Sequence, residues 1–141
     1  MLGWKGRSST GSNQENTADM YQIVSLTSQS GTSFTAAAEV HPAMVDSNDA
    51  KGITIPLCML ASKDEDRDTV KRFEEELKVP KHVETFDDQV HGWMAARHVP
   101  TREGSPDIAN GLCRGDLEDE KVKKEYERGY SILLDFFHKH L

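Results

Sequence analysis

The feature that most constrains the fold is a strand, helix and strand succession between residues 53 and 86. The apolar run Ile53 to Leu60 predicts a strand whose buried part follows Pro56, because proline is confined to the edge or start of a ladder. A second strand is predicted over Lys81–Phe86, where apolar and polar residues alternate. Strands joined by a helix pair in parallel through a right-handed crossover. The succession therefore predicts an α/β fold with a mostly parallel sheet and flanking helices.

The helix between these strands has clear signals at both ends. Asp66 or Asp68 can cap its start, and it should end before Pro80, since the residue preceding a proline disfavours the helical region. Its apolar face recurs at spacings of three and four, through Val70, Phe73 and Leu77. This face should pack against the sheet.

The rest of the chain completes one domain over residues 20–141. Residues 1–19 form a polar head without apolar period, which we expect to be disordered. A short helix is predicted over Met20–Leu26, and a short buried strand is predicted over Phe34–Val40. The last helix is predicted from an apolar stripe with spacings of three and four, formed by Val122, Tyr126, Tyr130, Leu133, Phe137 and Leu141.

Ionisable residues follow each strand of the predicted pair. Asp64 comes after the first strand and His91 after the second. In an open α/β sheet, functional side chains lie on loops at the carboxyl ends of strands, so Asp64 and His91 are predicted on one rim. An acid there can accept a hydrogen bond from the imidazole and stabilise the imidazolium during acyl transfer. Glu65 and Asp66 compete with Asp64 for this role.

Composition restricts the partners of the 141-residue chain. A net charge of -7 disfavours nucleic acid and anionic membranes. The longest apolar stretch is too short to span a bilayer and the first residues lack the apolar core of a secretory signal, so we expect a cytoplasmic protein. Cys58 and Cys113 are interpreted as reduced thiols. No short histidine or cysteine spacing indicates a metal site, and no cofactor is predicted.

Four segments keep a fixed order along the chain: Ala37–Pro42, Ile55–Asp66, Asp88–Trp93 and Gly129–Tyr130. In this order they resemble the C-terminal half of dienelactone hydrolase family proteins, particularly the fungal ones. The resemblance implies a partial α/β-hydrolase domain that acts on small carboxylic esters or lactones. Its Cys-His-Asp triad would place the acid at Asp64 and the base at His91.

The chain departs from this family at the nucleophile. The family carries it in Gly-x-Cys-x-Gly-Gly on a turn before the strand that ends at His41, where this sequence has Asn16 to Tyr21. The first strands and the oxyanion-hole donors are also missing. We therefore expect impaired hydrolysis.

A second departure is an irregular insert over residues 98–115, where the family runs almost directly into the last helix. A retained intron or a misdrawn gene model accounts for both departures, and a functional loop or lid is the rival interpretation. Within the insert, Gly111–Gly115 matches Gly-x-Cys-x-Gly around Cys113, but no buried strand precedes it, so coincidence is favoured. Cys58, inside a strand, is interpreted as a core residue.

The alternative to an esterase is a non-catalytic binding or interaction remnant. A sheet without its first strands exposes an edge, which favours self-association. Oligomers without turnover would support this alternative, whereas a monomer with esterase activity would oppose it.

Overall fold

The structure is a computed structural model that describes residues 26–27, 32–95 and 119–141. The polar head over residues 1–19 and the insert over residues 98–115 lie outside the described residues, as does the predicted Met20–Leu26 helix except for Leu26. In chain order the elements are β1 (Ala37–Val40), α1 (Ser47–Ala50), β2 (Leu57–Ser62), α2 (Arg67–Glu76), β3 (Lys81–Phe86), a 3-10 turn (Trp93–Ala95) and α3 (Glu120–His140).

The three strands form one parallel sheet with β2 in the centre. Prolines precede the two best-defined strands, and the ladder begins directly after them: the Leu57 N–H donates to the Pro80 carbonyl at 3.1 Å, and the Ala37 N–H to the Pro56 carbonyl at 2.9 Å. The parallel α/β sheet predicted from the sequence is thus confirmed. The bounds of β3 are those predicted.

The central strand is buried along its whole length. Its alternate residues point to opposite faces, as the pleat requires, and each face has its own core cluster. One cluster joins Leu57, Met59 and Ala61 to Val70, Phe73 and Leu77 of the α2 region. The other joins Cys58 and Leu60 to Phe86, Trp93 and Phe136. Helices cover both faces of β2, which is why its sequence is a continuous apolar run.

Helix α2 follows the predicted pattern. Asp66 is its N-cap and accepts the Thr69 N–H at 2.9 Å, while the helix ends at Glu76, before Pro80. The Thr69 hydroxyl and N–H stabilise the ionised carboxylate and lower the pKa of Asp66. Asp66 is therefore used as a cap, the first of the two alternatives predicted.

Two strands have bounds other than those predicted. β2 leaves out Ile53–Pro56, begins at Leu57, where its buried part was predicted to begin, and runs on past the predicted end at Leu60 to Ser62. β1 begins at Ala37, and the Phe34 side chain before it is exposed. The short helix α1 was not predicted, because four residues cannot show an apolar period. Its signal is the cap Asp46, which accepts the Asn48 N–H at 2.9 Å.

Helix α3 forms as predicted, but its buried face is rotated relative to the predicted stripe. Tyr130 and Leu141 are 44% and 81% exposed, whereas Gly129 and Phe136 are buried. The rotation follows from Gly129, where Trp93 and Met94 come against the helix backbone. A stripe that counts only apolar side chains cannot include a glycine.

An ion pair also holds α3 to the sheet. The Arg128 guanidinium lies 4.0 Å from the Phe86 ring centroid and hydrogen-bonds the Glu84 carboxylate of β3. Burial opposes ionisation of Glu84, but the hydrogen bonds and charges of Arg128 and His82 outweigh it and lower the pKa of Glu84. None of the helices in the described ranges is long and apolar enough to cross a membrane.

Candidate active site

The loops after the three strands meet at the carboxyl edge of the sheet. The two predicted site residues, Asp64 and His91, lie side by side there: the His91 backbone N–H donates to Asp64 Oδ2 at 2.7 Å. A second bond joins the same loops, from the Lys63 N–H to the Gln89 carbonyl at 2.9 Å. The juxtaposition expected from parallel strands is therefore present.

The His91 ring has a different carboxylate partner from its backbone. Its Nδ1 lies 2.9 Å from Glu65 Oε1, and the other Glu65 oxygen accepts the Ser62 N–H at the end of β2. The Glu65 side chain is only 6% exposed, while that of His91 is 42% exposed. The acid nearest the ring is thus a residue that the sequence offered only as a competitor of Asp64.

The Glu65 contact defines where a neutral His91 ring carries its proton. An ionised carboxylate only accepts hydrogen bonds, so Nδ1 must donate and Nε2 is left as the basic nitrogen. This is the arrangement that a general base of acyl transfer needs, with one ring nitrogen oriented by an acid and the other able to take a proton.

A third loop contributes His41, which sequence reasoning did not select as a site residue. The His41 and His91 ring centroids are 5.0 Å apart with an interplanar angle of 75°. His41 follows β1 with a φ of 45°, and Met44 has a φ of 57°. Left-handed backbone at non-glycine residues is uncommon and concentrates at functional loops, although no sequence pattern announces it.

These loops enclose a cavity of about 370 Å³. One wall comes from the loop after β1 and is largely apolar, and the other carries carboxylates and the imidazole. The lining residues are Pro42, Ala43, Met44, Val45, Asp64, Glu65, Asp66, Thr69 and His91. Neither lysine nor arginine is among these described residues, so the cavity is electronegative.

Within the described ranges, no group of three or more His, Cys, Asp or Glu side chains is arranged to hold a metal. The carboxylates at the cavity are occupied by backbone N–H groups, the His91 ring and the Thr69 hydroxyl.

The chain is similar to uncharacterized AIM2 family proteins of Schizosaccharomyces pombe. One is 35% identical over 109 residues, which is 74% of this chain and 37% of that protein. A second is 33% identical over 102 residues, which is 69% of this chain and 34% of that protein. The chain thus spans about a third of the length of the curated relatives it matches. No family model and no solved structure matches it.

No cysteine or serine is among the described residues that line the cavity. Cys58 lies in the middle of β2 with no exposed surface, and burial, followed by the charge of Glu84, raises the pKa of its thiol to about 12. Ser62 is also fully buried, and its hydroxyl faces the Asp64 N–H at 3.3 Å. Cys113 lies outside the described residues. The site therefore contains an oriented imidazole with no cysteine or serine among the described residues that line its cavity.

Proposed function

We propose that this chain carries the acid and base half of a dienelactone hydrolase-type site, in a partial α/β-hydrolase domain of the AIM2 family. The observation that carries the proposal is the His91 ring, oriented by a nearly buried carboxylate and lining a cavity at the carboxyl edge of a parallel sheet. The position of the site is the one that α/β folds use for chemistry. The likeness to AIM2 family proteins over most of this chain supports the family assignment.

In this mechanism His91 Nε2 removes the proton of an attacking thiol, and the thiolate adds to the ester or lactone carbonyl. The imidazolium then returns the proton to the leaving oxygen, and water releases the acyl group in a second cycle of the same kind. The neighbouring carboxylates stabilise the imidazolium. Because no nucleophile accompanies His91 in the described residues, the chain itself should turn over esters very slowly or not at all.

The lining of the cavity favours an uncharged substrate. Three acidic residues line a space with an apolar opposite wall, and none of the described lining residues is a lysine or arginine. A substrate carboxylate placed there would meet like charge, which is unfavourable in any medium and more so in a partly enclosed one. Small neutral esters and lactones are the substrates that fit.

The test is a chimera in which this chain replaces the matching segment of the 35% identical Schizosaccharomyces pombe protein. Hydrolysis of a small neutral ester by the chimera, abolished by His91→Ala, is the expected result. His82→Ala is the matched control, because His82 also pairs with a glutamate, Glu84, at 3.3 Å and does not line the cavity. Equal loss in both variants, or no hydrolysis by either the chimera or its parent, would refute the proposal.

A second candidate function is an interaction module that associates through the β1 edge. Within the described residues, β1 pairs only with β2, so its other side offers backbone groups to a further strand. Sedimentation of the purified chain tests this candidate. Dimers or larger species that grow with concentration are expected if the edge pairs, whereas a monomer at all concentrations would exclude it.

A further inference from the structure

We propose that Glu65 and Asp64 divide between them the work of a single triad acid. Glu65 is the positioning residue that fixes the proton of the His91 ring, and Asp64 holds the backbone of the loop on which that ring stands. The catalytic meaning of this division rests on the proposed function, but the division itself is a property of the folded chain.

The first step of the argument is the attachment of Glu65. One of its oxygens is bonded to the Ser62 N–H, and Ser62 is the last residue of the fully buried central strand. The other oxygen meets His91 Nδ1 at 2.9 Å. A carboxylate that is 94% buried needs partners for its charge, and both of its oxygens have one. Glu65 thereby connects the fully buried central strand to the ring.

The second step concerns the proton. Because the Glu65 carboxylate can only accept, it selects the tautomer with the proton on Nδ1, whereas a free imidazole in water favours the other nitrogen slightly. The selection depends on the acceptor at Nδ1. Asp64 accepts the backbone N–H of His91, so its loss leaves the Glu65 acceptor at Nδ1 in place.

The third step concerns the loop. Asp64 Oδ2 accepts the His91 N–H at 2.7 Å, and one residue earlier the Lys63 N–H donates to the Gln89 carbonyl. Together these bonds join the loop after β2 to the loop after β3. Directly after His91 the chain turns at Gly92, whose φ of 84° suits glycine. Loss of the Asp64 carboxylate should therefore loosen the backbone at His91 but leave the tautomer of its ring unchanged.

The experiment is NMR on the whole chain labelled with ¹⁵N at histidine, above the pH range in which imidazole titrates. Ring ¹⁵N shifts report which nitrogen carries the proton, and amide hydrogen exchange reports the His91 N–H. Wild type should show the Nδ1–H tautomer at His91. Glu65→Ala should move the proton to Nε2, and Glu65→Gln, which retains an acceptor oxygen, should keep it on Nδ1. Asp64→Ala should keep the tautomer and accelerate exchange of the His91 amide about tenfold, as expected for the loss of one charge-assisted hydrogen bond.

The ring of His82, which pairs with Glu84, is the control within the same molecule and should not change in any variant. A shift of the His91 proton to Nε2 in Asp64→Ala, or its retention on Nδ1 in Glu65→Ala, would overturn the division of roles. If Glu65→Ala does not fold, the wild-type and Asp64→Ala spectra still decide: an Nε2–H ring in either one overturns the proposal. None of these measurements needs substrate, so inactivity of the chimera would refute the proposed function and leave this result standing.

Discussion

The Trp93 ring lies so close to Gly129 that a Cβ at Gly129 would come within 2.6 Å of Trp93 Cη2. Trp93 has no exposed surface and stacks on Phe86, with ring centroids 4.3 Å apart. The glycine thus lets α3 approach the 3-10 turn that directly follows the His91 loop. A residue without a side chain sets the distance between the long helix and the candidate site.

Gly129→Ala should therefore destabilise the protein, although alanine is the better helix former. The gain in helix propensity is about 1 kcal/mol, and overpacking against a buried ring costs about 1–3 kcal/mol. We expect a net loss of about 1 kcal/mol in the free energy of unfolding, measured by urea denaturation. Glu127→Ala, at an exposed position of the same helix, is the matched control and should be neutral or slightly stabilising. A stabilising Gly129→Ala would show that the helix does not approach Trp93 so closely.

Glu39 on β1 should make stability depend on pH. The residue is 4% exposed, and its Oε2 has no hydrogen-bond partner in the described part of the protein. Burial, aided by the charge of Asp49, raises the pKa of Glu39 from 4.5 to about 8. Between these values the unfolded chain loses a proton that the folded chain keeps. The contribution of this group is therefore fully present below pH 4.5 and is lost as pH rises towards 8, at up to about 1.4 kcal/mol per pH unit.

Glu39→Gln removes this titration. Below pH 4.5 the variant and wild type should have the same free energy of unfolding. Between pH 4.5 and pH 8 the free energy of unfolding of the variant should exceed that of wild type by a growing amount, as measured by urea denaturation at a series of pH values. Glu127→Gln, exposed on α3, changes the net charge equally and should leave the pH profile unchanged. A constant difference between Glu39→Gln and wild type across this range would contradict the prediction.

The sheet could be predicted from the sequence because its signals are local. Pro56 and Pro80 each precede the start of a ladder, and apolar and polar residues alternate within β3. Each proline restricts its own backbone and that of the residue before it, so no knowledge of the rest of the fold is needed. Where the local signal was a cap alone, as at α1, the helix was not predicted, and where no signal marked the strand start, as near the exposed Phe34, the predicted bounds were wrong.

The partner of the His91 ring could not be predicted in the same way. Asp64, Glu65 and Asp66 follow one another, and all three can accept a hydrogen bond. Their roles depend on how the chain turns after Ser62. Asp64 bonds the His91 backbone, Glu65 bonds the His91 ring, and Asp66 caps α2. The buried face of α3 could not be predicted for a similar reason. Gly129 lies on that face but has no side chain that an apolar pattern would include.

Cys58 should be unreactive in the folded protein. It is fully buried in β2, and burial, together with the charge of Glu84, raises the pKa of its thiol to about 12, so thiolate is scarce at neutral pH. In a Cys113→Ser variant Cys58 is the single thiol of the chain. A disulfide reagent should then label it only as fast as the protein opens, and at once after unfolding in urea. Rapid labelling of the folded variant would show an accessible thiol and contradict the interpretation of Cys58 as a core residue.

Binding of small esters should depend on ligand charge, because the cavity presents Asp64, Glu65 and Asp66 to its ligand. Dimethyl glutarate and its monomethyl anion differ by one charge and little in shape. The neutral diester should shift the His91 NMR signals at several-fold lower concentration than the anion, since each nearby like charge costs about 1 kcal/mol near water. Added salt should reduce the difference in binding between the two ligands, because it screens the charges.

A variant pair identifies the source of this selectivity. Asp64→Asn should reduce the difference in binding affinity between the neutral diester and the anion. Asp135→Asn, at an exposed position of α3, removes the same net charge and should leave this difference unchanged. Equal narrowing in both variants would mean that the ligands sense only the total charge of the chain. Tighter binding of the anion would contradict an electronegative cavity and, with it, the neutral substrate class proposed for the site.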